Sequence, residues 1–217
     1  QYMDTGMVGV LGTSATAAVG ATSTVNWLIG STISALSVGF LAYISQSMGA
    51  GKEEQARKAS GQAVMTVLIV GIFFTILAVS LSSKVPVWMQ VDPSIQKMAS
   101  SYFLILYSPM LFRTANIIFG TVLRAVGDTK TPMQVGIAFN IINIVLNFFL
   151  IYSTRTLNVC GKELVIFGAG WGVQGAAAAS AIAYTIGGIA ITYKLWKHVD
   201  ISPKGQSFKP DFSVLQP

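Results

Sequence analysis

Long apolar segments separated by short polar connectors run along almost the whole chain. Each segment reaches about 20 residues, so that a helix rising about 1.5 Å per residue would cross a hydrocarbon core of about 30 Å. We expect residues 1–11 to be the tail of a helix whose start is missing, followed by five complete spans. The five spans are predicted at 17–47, 61–82, 97–123, 133–153 and 173–193. The pattern therefore predicts an all-α, polytopic transmembrane bundle of about six helices, the first one truncated.

The connectors carry the residues that end helices. Residues 52–58 form a short polar connector, with Glu53 and Glu54 suited to the first turn of the next helix. Residues 84–93 contain prolines and a tryptophan and predict a loop, and residues 154–172 predict a longer, glycine-containing loop. We expect residues 1–199 to form one transmembrane lobe and the proline-containing residues 200–217 to form a polar linker.

Composition supports a membrane protein. Of 217 residues, 53% are hydrophobic and only 10% are charged, whereas soluble domains carry about 25% charged residues. The mean hydropathy is +0.63. We therefore predict a multi-pass protein of the cell (plasma or inner) membrane, with the lipid bilayer as its surroundings.

The basic residues predict the orientation. The net charge of +6 would suggest a nucleic-acid partner in a soluble protein, but the positive-inside rule explains it here, and we predict no nucleic-acid partner. Four basic residues fall on one side: Lys84, Lys97, Arg155 and Lys162. Nine fall on the other: Lys52, Arg57, Lys58, Arg124, Lys130, Lys194, Lys197, Lys204 and Lys209. The second side, which includes the C-terminal tail, should be cytoplasmic.

Catalytic motifs do not emerge from the sequence. It contains no paired catalytic acids, no nucleophile with a base and no cluster of metal-ligating residues. The glycine-rich GAGWG at 168–172 lacks the Gly-Lys-Ser/Thr of a phosphate loop. The single cysteine, Cys160, permits no internal disulfide. We predict that the protein is not an enzyme, needs no cofactor and is not driven by ATP.

The connector VLRAVGDTKTP at 122–132 joins two predicted spans. Arg124 suits the negative end of the helix dipole, and Gly127 can take the left-handed conformation that stops a helix. Thr131 can cap the next helix, with Pro132 at its first position. This pattern predicts a well-formed turn between two helices and does not indicate substrate ligands.

LRAVGDTKTP resembles the connector between the fourth and fifth helices of the MATE family, the multidrug and toxic compound extrusion transporters. Other segments agree in order: DTGMVGVLG at 4–12, SQSMGAG at 45–51, NIINIVLNFFLIY at 140–152 and GVQGAAAAS at 172–180. The resemblance implies the N-terminal six-helix lobe of a twelve-helix transporter, with a C-terminal lobe missing. It also implies antiport of small organic, often cationic, substrates against H⁺ or Na⁺ by alternating access.

Asp4 is the first candidate for chemistry, since a carboxylate within a membrane-embedded helix is costly and usually faces a cavity. Burial favours the protonated acid, whereas a bound cation favours the carboxylate. A position among lipid headgroups is an equal alternative from spacing alone. The resemblance implies that Asp4 couples transport to protons or sodium.

Three amides interrupt the fifth span. Asn143 and Asn147 are four residues apart and Asn140 and Asn143 are three apart, so they share a helix face that must meet protein or water. They could simply hold helices together. The resemblance implies that Asn143 belongs to a cation site, so that Asp4 and Asn143 could bind Na⁺. Some family members carry a second aspartate at Asn147, and this departure puts a two-carboxylate proton relay in doubt. We place Asn140 in the substrate cavity.

Ser180 and Tyr102 also match family positions near this polar cluster. Ser180 could equally pack on a face of small residues, and Tyr102 could lie at the membrane interface. Arg113 lies about 16 Å along the helix from Arg124 by the helical rise, around mid-membrane, where a guanidinium needs carboxylates, carbonyls or water. We place it with Asn140 in the substrate cavity.

Two other functions stay open. A lipid-linked sugar exporter or flippase would need a large cationic cavity, for which Arg113 is the intramembrane hint. A non-transporting membrane scaffold would use Asn140, Asn143 and Ser180 only to hold helices together.

Overall fold

The computed structural model describes residues 2–159 and 162–206. Cys160 and residues 207–217, which include Lys209 and most of the predicted linker, lie outside the described residues. The helices are α1 (Tyr2–Gly9), α2 (Thr13–Gly49), α3 (Glu53–Leu81), α4 (Val85–Trp88), α5 (Pro93–Tyr107), α6 (Met110–Ala125), α7 (Lys130–Leu150) and α8 (Gly172–Lys197). Two strands, β1 (Ser153–Val159) and β2 (Lys162–Ala169), lie between α7 and α8.

Among the described residues, four helices are long and apolar enough to cross a membrane: α2, α3, α7 and α8. The pair α5 and α6 makes a fifth if the two form one broken span. With the short α1, this matches the predicted series of a helix end and five spans. The prediction of a polytopic transmembrane helix bundle is confirmed.

The predicted fourth span is not one continuous helix. The span predicted at about 97–123 consists of α5 and α6, with a break at Ser108 and Pro109. The amide of Ser108 still bonds to the carbonyl of Leu104, but proline has no N–H with which to continue the ladder. The carbonyl of Pro109 then accepts from the amides of Phe112 and Arg113, which starts α6.

The predicted loop over 154–172 contains an antiparallel β-hairpin, so that prediction was wrong. The Thr154 hydroxyl donates to the carbonyl of Gly168 and accepts from the amide of Gly168, both at 3.2 Å. These two bonds hold the two strands together at the base of the hairpin. A side chain at Gly168 would overlap the carbonyl oxygen of Tyr152, so glycine permits this close pairing.

The α6–α7 turn follows the predicted chemistry with one correction. Arg124 lies in the last turn of α6, and Gly127 has φ +87°, as expected for a left-handed stop. Asp128, not Thr131, supplies the cap, because its Oδ1 accepts the amide of Thr131 at 3.0 Å. Since α7 begins at Lys130, Pro132 is its third residue rather than its first.

Two other connectors are more helical than predicted. Helix α3 begins at Glu53, so most of 52–58 belongs to the helix, with Glu53 and Glu54 in its first turn as expected. The 84–93 segment contains the short α4. Near its end, the Asp92 side chain caps α5 by accepting the amide of Ser94 at 2.8 Å.

The chain forms two compact units. The first comprises Gln1–Asn26, Leu77–Ser108 and Asn140–Ala183; the second comprises Trp27–Ile76, Pro109–Phe139 and Tyr184–Pro217. In the first unit, α5 contributes a fully buried aromatic pair, Phe103 and Tyr107, with ring centroids 4.3 Å apart. In the second, α6 is the most buried helix and carries Ile118, Val122 and Leu123 at zero exposure.

Candidate functional site

A buried carboxylate lies within the first unit. Asp4 on α1 is only 1% exposed, although it is the kind of side chain that is almost never fully buried unless it is partnered. The position among headgroups that spacing left open does not match this burial. The polar groups around Asp4 therefore decide its chemistry.

Four side chains form a closed hydrogen-bonded ring, named here the Asp4 ring. Asn147 Nδ2 donates to Asp4 Oδ1 at 2.7 Å and to Asn143 Oδ1 at 3.2 Å. Ser180 Oγ donates to Asp4 Oδ2 at 2.8 Å and accepts from Asn143 Nδ2 at 2.9 Å. All four residues are at most 5% exposed. The ring joins three helices, α1, α7 and α8.

The Asp4 carboxyl group acts as the acceptor in both of its bonds within the ring. Each of the two Asp4 oxygens receives a donor, and the Asn143 bond to Ser180 supports the Ser180 bond to Asp4. The ring therefore replaces part of the hydration that Asp4 loses on burial.

One acceptor in the ring remains open. Asn147 Oδ1 is buried and receives no hydrogen bond from the residues that the structure describes. A buried amide oxygen without a donor costs about 1–3 kcal/mol. It can be satisfied by a cation or by a proton carried on a neighbouring acid, so the ring is chemically ready for either.

Close backbone packing places the ring members. The i, i+4 spacing puts Asn143 and Asn147 on one face of α7. Helix α8 approaches the end of α7 at Gly175, where a Cβ would overlap the Leu150 carbonyl, and Ser180 follows five residues later. The Tyr152 hydroxyl, just beyond α7, donates to the Met7 carbonyl of α1 at 3.1 Å.

Asn140 and Tyr102, the other two candidates in this unit, lie in different environments. Asn140 is exposed at the beginning of the amide stripe on α7, unlike Asn143 and Asn147. Tyr102 is fully buried on α5. Its predicted role beside the cluster stays a prediction.

Arg113 belongs to the second unit, on α6. It is 7% exposed, and its guanidinium carbon lies 5.2 Å from the centroid of the Tyr184 ring. Tyr184 packs in turn on Phe139 at 4.8 Å between centroids. A Cβ at Gly30 on α2 would lie 3.5 Å from an Arg113 nitrogen, so this cation packs against backbone as well as an aromatic face.

Sequence reasoning missed the hydrogen-bonded pair of Tyr107 and Asn26, and it missed Tyr184, the aromatic partner of Arg113. The Tyr107 hydroxyl donates to Asn26 Oδ1 at 2.9 Å in the first unit, and both side chains are buried. Asn26 was visible as an amide inside an apolar span, which is a signal for a partner within the bundle. Tyr184 gave no comparable signal, because aromatic residues are common in transmembrane helices.

The Asp4 ring offers oxygen ligands for a metal. Among the residues that the structure describes, no group of three or more His, Cys, Asp or Glu side chains could hold a metal ion. The ring instead offers carboxylate, amide and hydroxyl oxygens, which suit a hard cation such as Na⁺ rather than a transition metal.

Two curated relatives match most of the chain. "Probable multidrug resistance protein NorM" of Thermotoga maritima is 26% identical over 210 residues, which is 97% of this chain and 43% of that protein. "Probable multidrug resistance protein YoeA" of Bacillus subtilis is 27% identical over 144 residues, covering 65% of this chain and 31% of that protein.

Solved structures share the fold. A structure described as the inward-facing conformation of a multidrug resistance MATE family transporter of the MOP superfamily has a TM-score of 0.85 at 25% identity, over 98% of this chain and 46% of its own. A MATE structure in complex with MaD3S has a TM-score of 0.83 at 25% identity, over 99% of this chain and 45% of its own.

The chain thus spans less than half the length of these relatives and structures. The family model described as MatE matches residues 1–149, which include the α6–α7 turn and three of the four ring members. The resemblance drawn from the sequence motifs is confirmed. The chain belongs to the MatE family.

Proposed function

We propose that this chain forms one lobe of a secondary multidrug efflux transporter, and that the Asp4 ring binds the coupling ion, H⁺ or Na⁺. The names of the relatives support the transport of drugs, since both are described as probable multidrug resistance proteins. Small organic compounds, often cationic, are the proposed substrates. A second lobe of the same transporter is the proposed partner.

The observation that carries the proposal is a carboxylate at 1% exposure held beside an open acceptor. Asp4 accepts bonds from Asn147 and Ser180, and Asn147 Oδ1 is buried without a donor among the residues that the structure describes. If these polar groups served only to hold helices together, stability would favour a hydrogen-bond partner for every buried donor and acceptor. An ion site instead keeps an acceptor unpaired until the ion binds. Intramembrane carboxylates are functional by default for the same energetic reason.

The two ions would use the ring differently. A proton on Asp4 would turn one acceptor into a donor, and Asn147 Oδ1 is the nearest acceptor of the ring without a donor. A sodium ion would keep Asp4 charged and take oxygens from Asp4, Asn143 and Asn147. In both cases the hydrogen bonds among α1, α7 and α8 must rearrange when the ion binds.

Alternating access follows from this rearrangement. An ion shifts a conformational equilibrium only by the difference between its affinities for the two states. The Asp4 ring links three helices, so ion binding changes the packing of this lobe and lowers its affinity for the organic substrate. Rocking between inward and outward states needs two lobes, so this lobe alone should not carry out coupled efflux.

Arg113 and Asn140 stay proposed contributors to the substrate cavity. Asn140 is exposed on α7, as a cavity residue must be. Arg113 is packed on Tyr184 at 7% exposure, so it does not create the large cationic cavity that a lipid-linked sugar exporter would need. We therefore favour drug efflux over that alternative.

The test is drug efflux by the transporter that contains this chain, with Asp4→Asn compared with wild type under separate proton and sodium gradients. We expect Asp4→Asn to abolish coupled efflux, and the gradient on which the wild type depends identifies the ion. Asp92→Asn is the matched control: it removes an acid that caps α5 outside the ring, and asparagine is an equally good cap.

Normal efflux by Asp4→Asn under both gradients would make Asp4 a structural acid. The scaffold alternative predicts that outcome, together with unchanged binding of ions and drugs. Coupled efflux by vesicles that carry this chain alone as a monomer would instead contradict the claim that it is one lobe of a transporter.

A further inference from the structure

A second group of charged side chains lines an open surface cavity of about 610 Å³ in the second unit. Its walls come from the α6–α7 turn, the last turn of α8 and the residues that follow α8. The charged or titratable groups with acidic or basic side chains that line it are Asp128, Lys194, Lys197, His198 and Asp200. None of them belongs to the Asp4 ring.

The wall beyond α8 is fixed by hydrogen bonds. Arg57 on α3 donates from Nε to the Asp200 carbonyl at 2.9 Å and from Nη2 to the Val199 carbonyl at 3.0 Å. The Ser202 hydroxyl donates to the Trp196 carbonyl at 2.8 Å. The segment after α8 therefore folds back in a defined path, and the cavity is largely formed before any ligand arrives.

Acidic groups occupy one part of the lining. Burial raises the pKa of Asp128, but hydrogen bonds from the Thr131 amide and hydroxyl and the charge of His198 outweigh it and hold that pKa below its usual value. Asp128 is therefore ionised at neutral pH. Asp200 Oδ2 lies 3.8 Å from His198 Nδ1, so a second carboxylate faces the same cavity.

Two lysines occupy another part. Lys194 and Lys197 are three residues apart in the last turn of α8, so they share one helix face. Both are exposed, and Lys197 Nζ lies 4.6 Å from the centroid of the Tyr193 ring. Because α8 is long enough to span the membrane, its last turn falls at the level of lipid headgroups.

This lining fits a zwitterion better than a simple anion. Two lysines attract a phosphate, but two carboxylates in the same cavity would repel a ligand that carries negative charge alone. A phosphate that adjoins a primary ammonium satisfies both sets of charges. A quaternary ammonium could not donate hydrogen bonds to the carboxylates.

We propose that this cavity binds a phosphoethanolamine group, with Lys194 and Lys197 contacting the phosphate and Asp128 and Asp200 contacting the ammonium. The group can come from a phospholipid of the surrounding bilayer or from free phosphoethanolamine in solution. This site does not depend on the function proposed for the Asp4 ring.

The test is a binding titration of the full chain in delipidated detergent micelles, followed by native mass spectrometry. The probes are dioctanoyl phospholipids with ethanolamine, choline or glycerol headgroups. We expect the ethanolamine lipid to bind about tenfold more tightly than the other two, the size expected from charge-assisted hydrogen bonds that choline and glycerol cannot make. Equal binding of the glycerol lipid would mean simple attraction of an anion and would overturn the proposal.

The source of the group is decided by competition. Free phosphoethanolamine that displaces the ethanolamine lipid at a similar concentration identifies a soluble ligand. Failure to displace it, with the lipid preference intact, identifies the lipid, whose acyl chains then add to the binding. Inorganic phosphate serves as the third competitor, and displacement by phosphate alone as efficient as by phosphoethanolamine would contradict a role for the carboxylates.

Variants separate the two halves of the site. Lys194→Gln with Lys197→Gln should weaken binding of the ethanolamine lipid about 10- to 30-fold, since a lysine near an anionic group at the membrane surface contributes about 1 kcal/mol. Asp200→Asn should remove the preference for ethanolamine over glycerol. Lys84→Gln with Lys97→Gln is the control of equal charge outside the cavity. Unchanged lipid preference in both test variants would refute the proposed site.

Discussion

The Ser180 hydroxyl is the most informative group to remove from the Asp4 ring. It is 3% exposed, donates to Asp4 Oδ2 at 2.8 Å and accepts from Asn143 Nδ2 at 2.9 Å. Ser180→Ala deletes one atom that takes part in two bonds, without changing the net charge. It leaves a carboxylate oxygen and an amide nitrogen with one partner fewer each, in a place that water does not reach freely.

The expected cost follows from those two bonds. In soluble proteins a hydrogen bond to a charged group is worth about 1.5–3 kcal/mol and a neutral one about 1 kcal/mol. Within membranes, measured side-chain bonds average about 0.6 kcal/mol and reach about 1.7, because the unfolded state in lipid also finds partners. Since one of the two bonds ends on a carboxylate at 1% exposure, we expect Ser180→Ala to lower the free energy of unfolding by about 2 kcal/mol.

Tryptophan fluorescence during unfolding of the full chain in detergent measures this loss, with sodium varied at constant ionic strength and pH varied at constant sodium. Ser180→Thr keeps the hydroxyl and should fall between Ser180→Ala and wild type. Ser34→Ala, at an exposed serine of α2, is the control. If Ser180→Ala unfolds like that control and responds to sodium and pH like wild type, the ring does not form in solution and our assignment of the ion site fails.

Three further substitutions test other parts of the structure. Gly175→Val should cost about 1–3 kcal/mol by overpacking and should abolish ion-dependent stabilisation, because its side chain would overlap a backbone carbonyl of α7. Asp128→Ala should cost about 1 kcal/mol at neutral pH, because it removes the cap on the Thr131 amide. The Asp128 pKa is lowered from 3.8, so the cap's contribution is complete above that pH and is lost as the pH falls through the lower, folded-state pKa. Arg113→Gln should cost about 0.5–2 kcal/mol through loss of the contact with Tyr184 and should change the ratio of cationic to neutral dye efflux.

Each of these predictions has a matched variant. Gly20→Val adds the same side chain at a helical glycine with nothing within 4 Å of its Cβ position, and equal destabilisation by both would contradict the argument from close packing. Asp128→Asn keeps a capping oxygen that does not titrate, so its stability relative to wild type should vary little between pH 5 and 8. Arg113→Lys keeps the charge, and if it alters the dye ratio as strongly as Arg113→Gln, charge is not the determinant.

The amide pair of the site could be predicted from sequence because it is local. Asn143 and Asn147 are one helical turn apart in an otherwise apolar span, and amides in lipid must face protein or water. The ring confirms that they share a buried face. Their meeting with Asp4 and Ser180 was different: these residues are separated from the pair by 143 and 37 positions. Only the resemblance of the sequence motifs to the family predicted that these four residues lie close together.

The differences between the predicted and the observed fold have local causes that hydropathy does not detect. Pro109 breaks the fourth span, yet its neighbours are as apolar as those of an unbroken helix, and prolines are tolerated within membrane helices. The hairpin was not predicted because its glycines are typical of a loop. The hydrogen bond that closes its base joins Thr154 to Gly168, which are 14 residues apart in sequence, so a local pattern does not reveal it. The cap was assigned to Thr131 because this threonine precedes a proline. In the structure the carboxylate of Asp128 caps the same helix end by accepting the amide of Thr131.

Asn147 explains why one carboxylate can suffice in this lobe. The resemblance implies that some family members carry aspartate at this position, and two carboxylates at the 2.7 Å separation seen between Asn147 and Asp4 could not both be ionised. One of them would hold a proton, donate it to the other and keep its second oxygen as an acceptor. Asn147 already does this without titrating: its Nδ2 donates to Asp4, and its Oδ1 stays open. The amide therefore keeps the bond to Asp4 that a singly protonated acid pair would make, adds a second bond to Asn143 Oδ1 and removes one exchangeable proton. On the proposed mechanism, the ring then carries one elementary charge per cycle, because Asp4 is its single ionisable member.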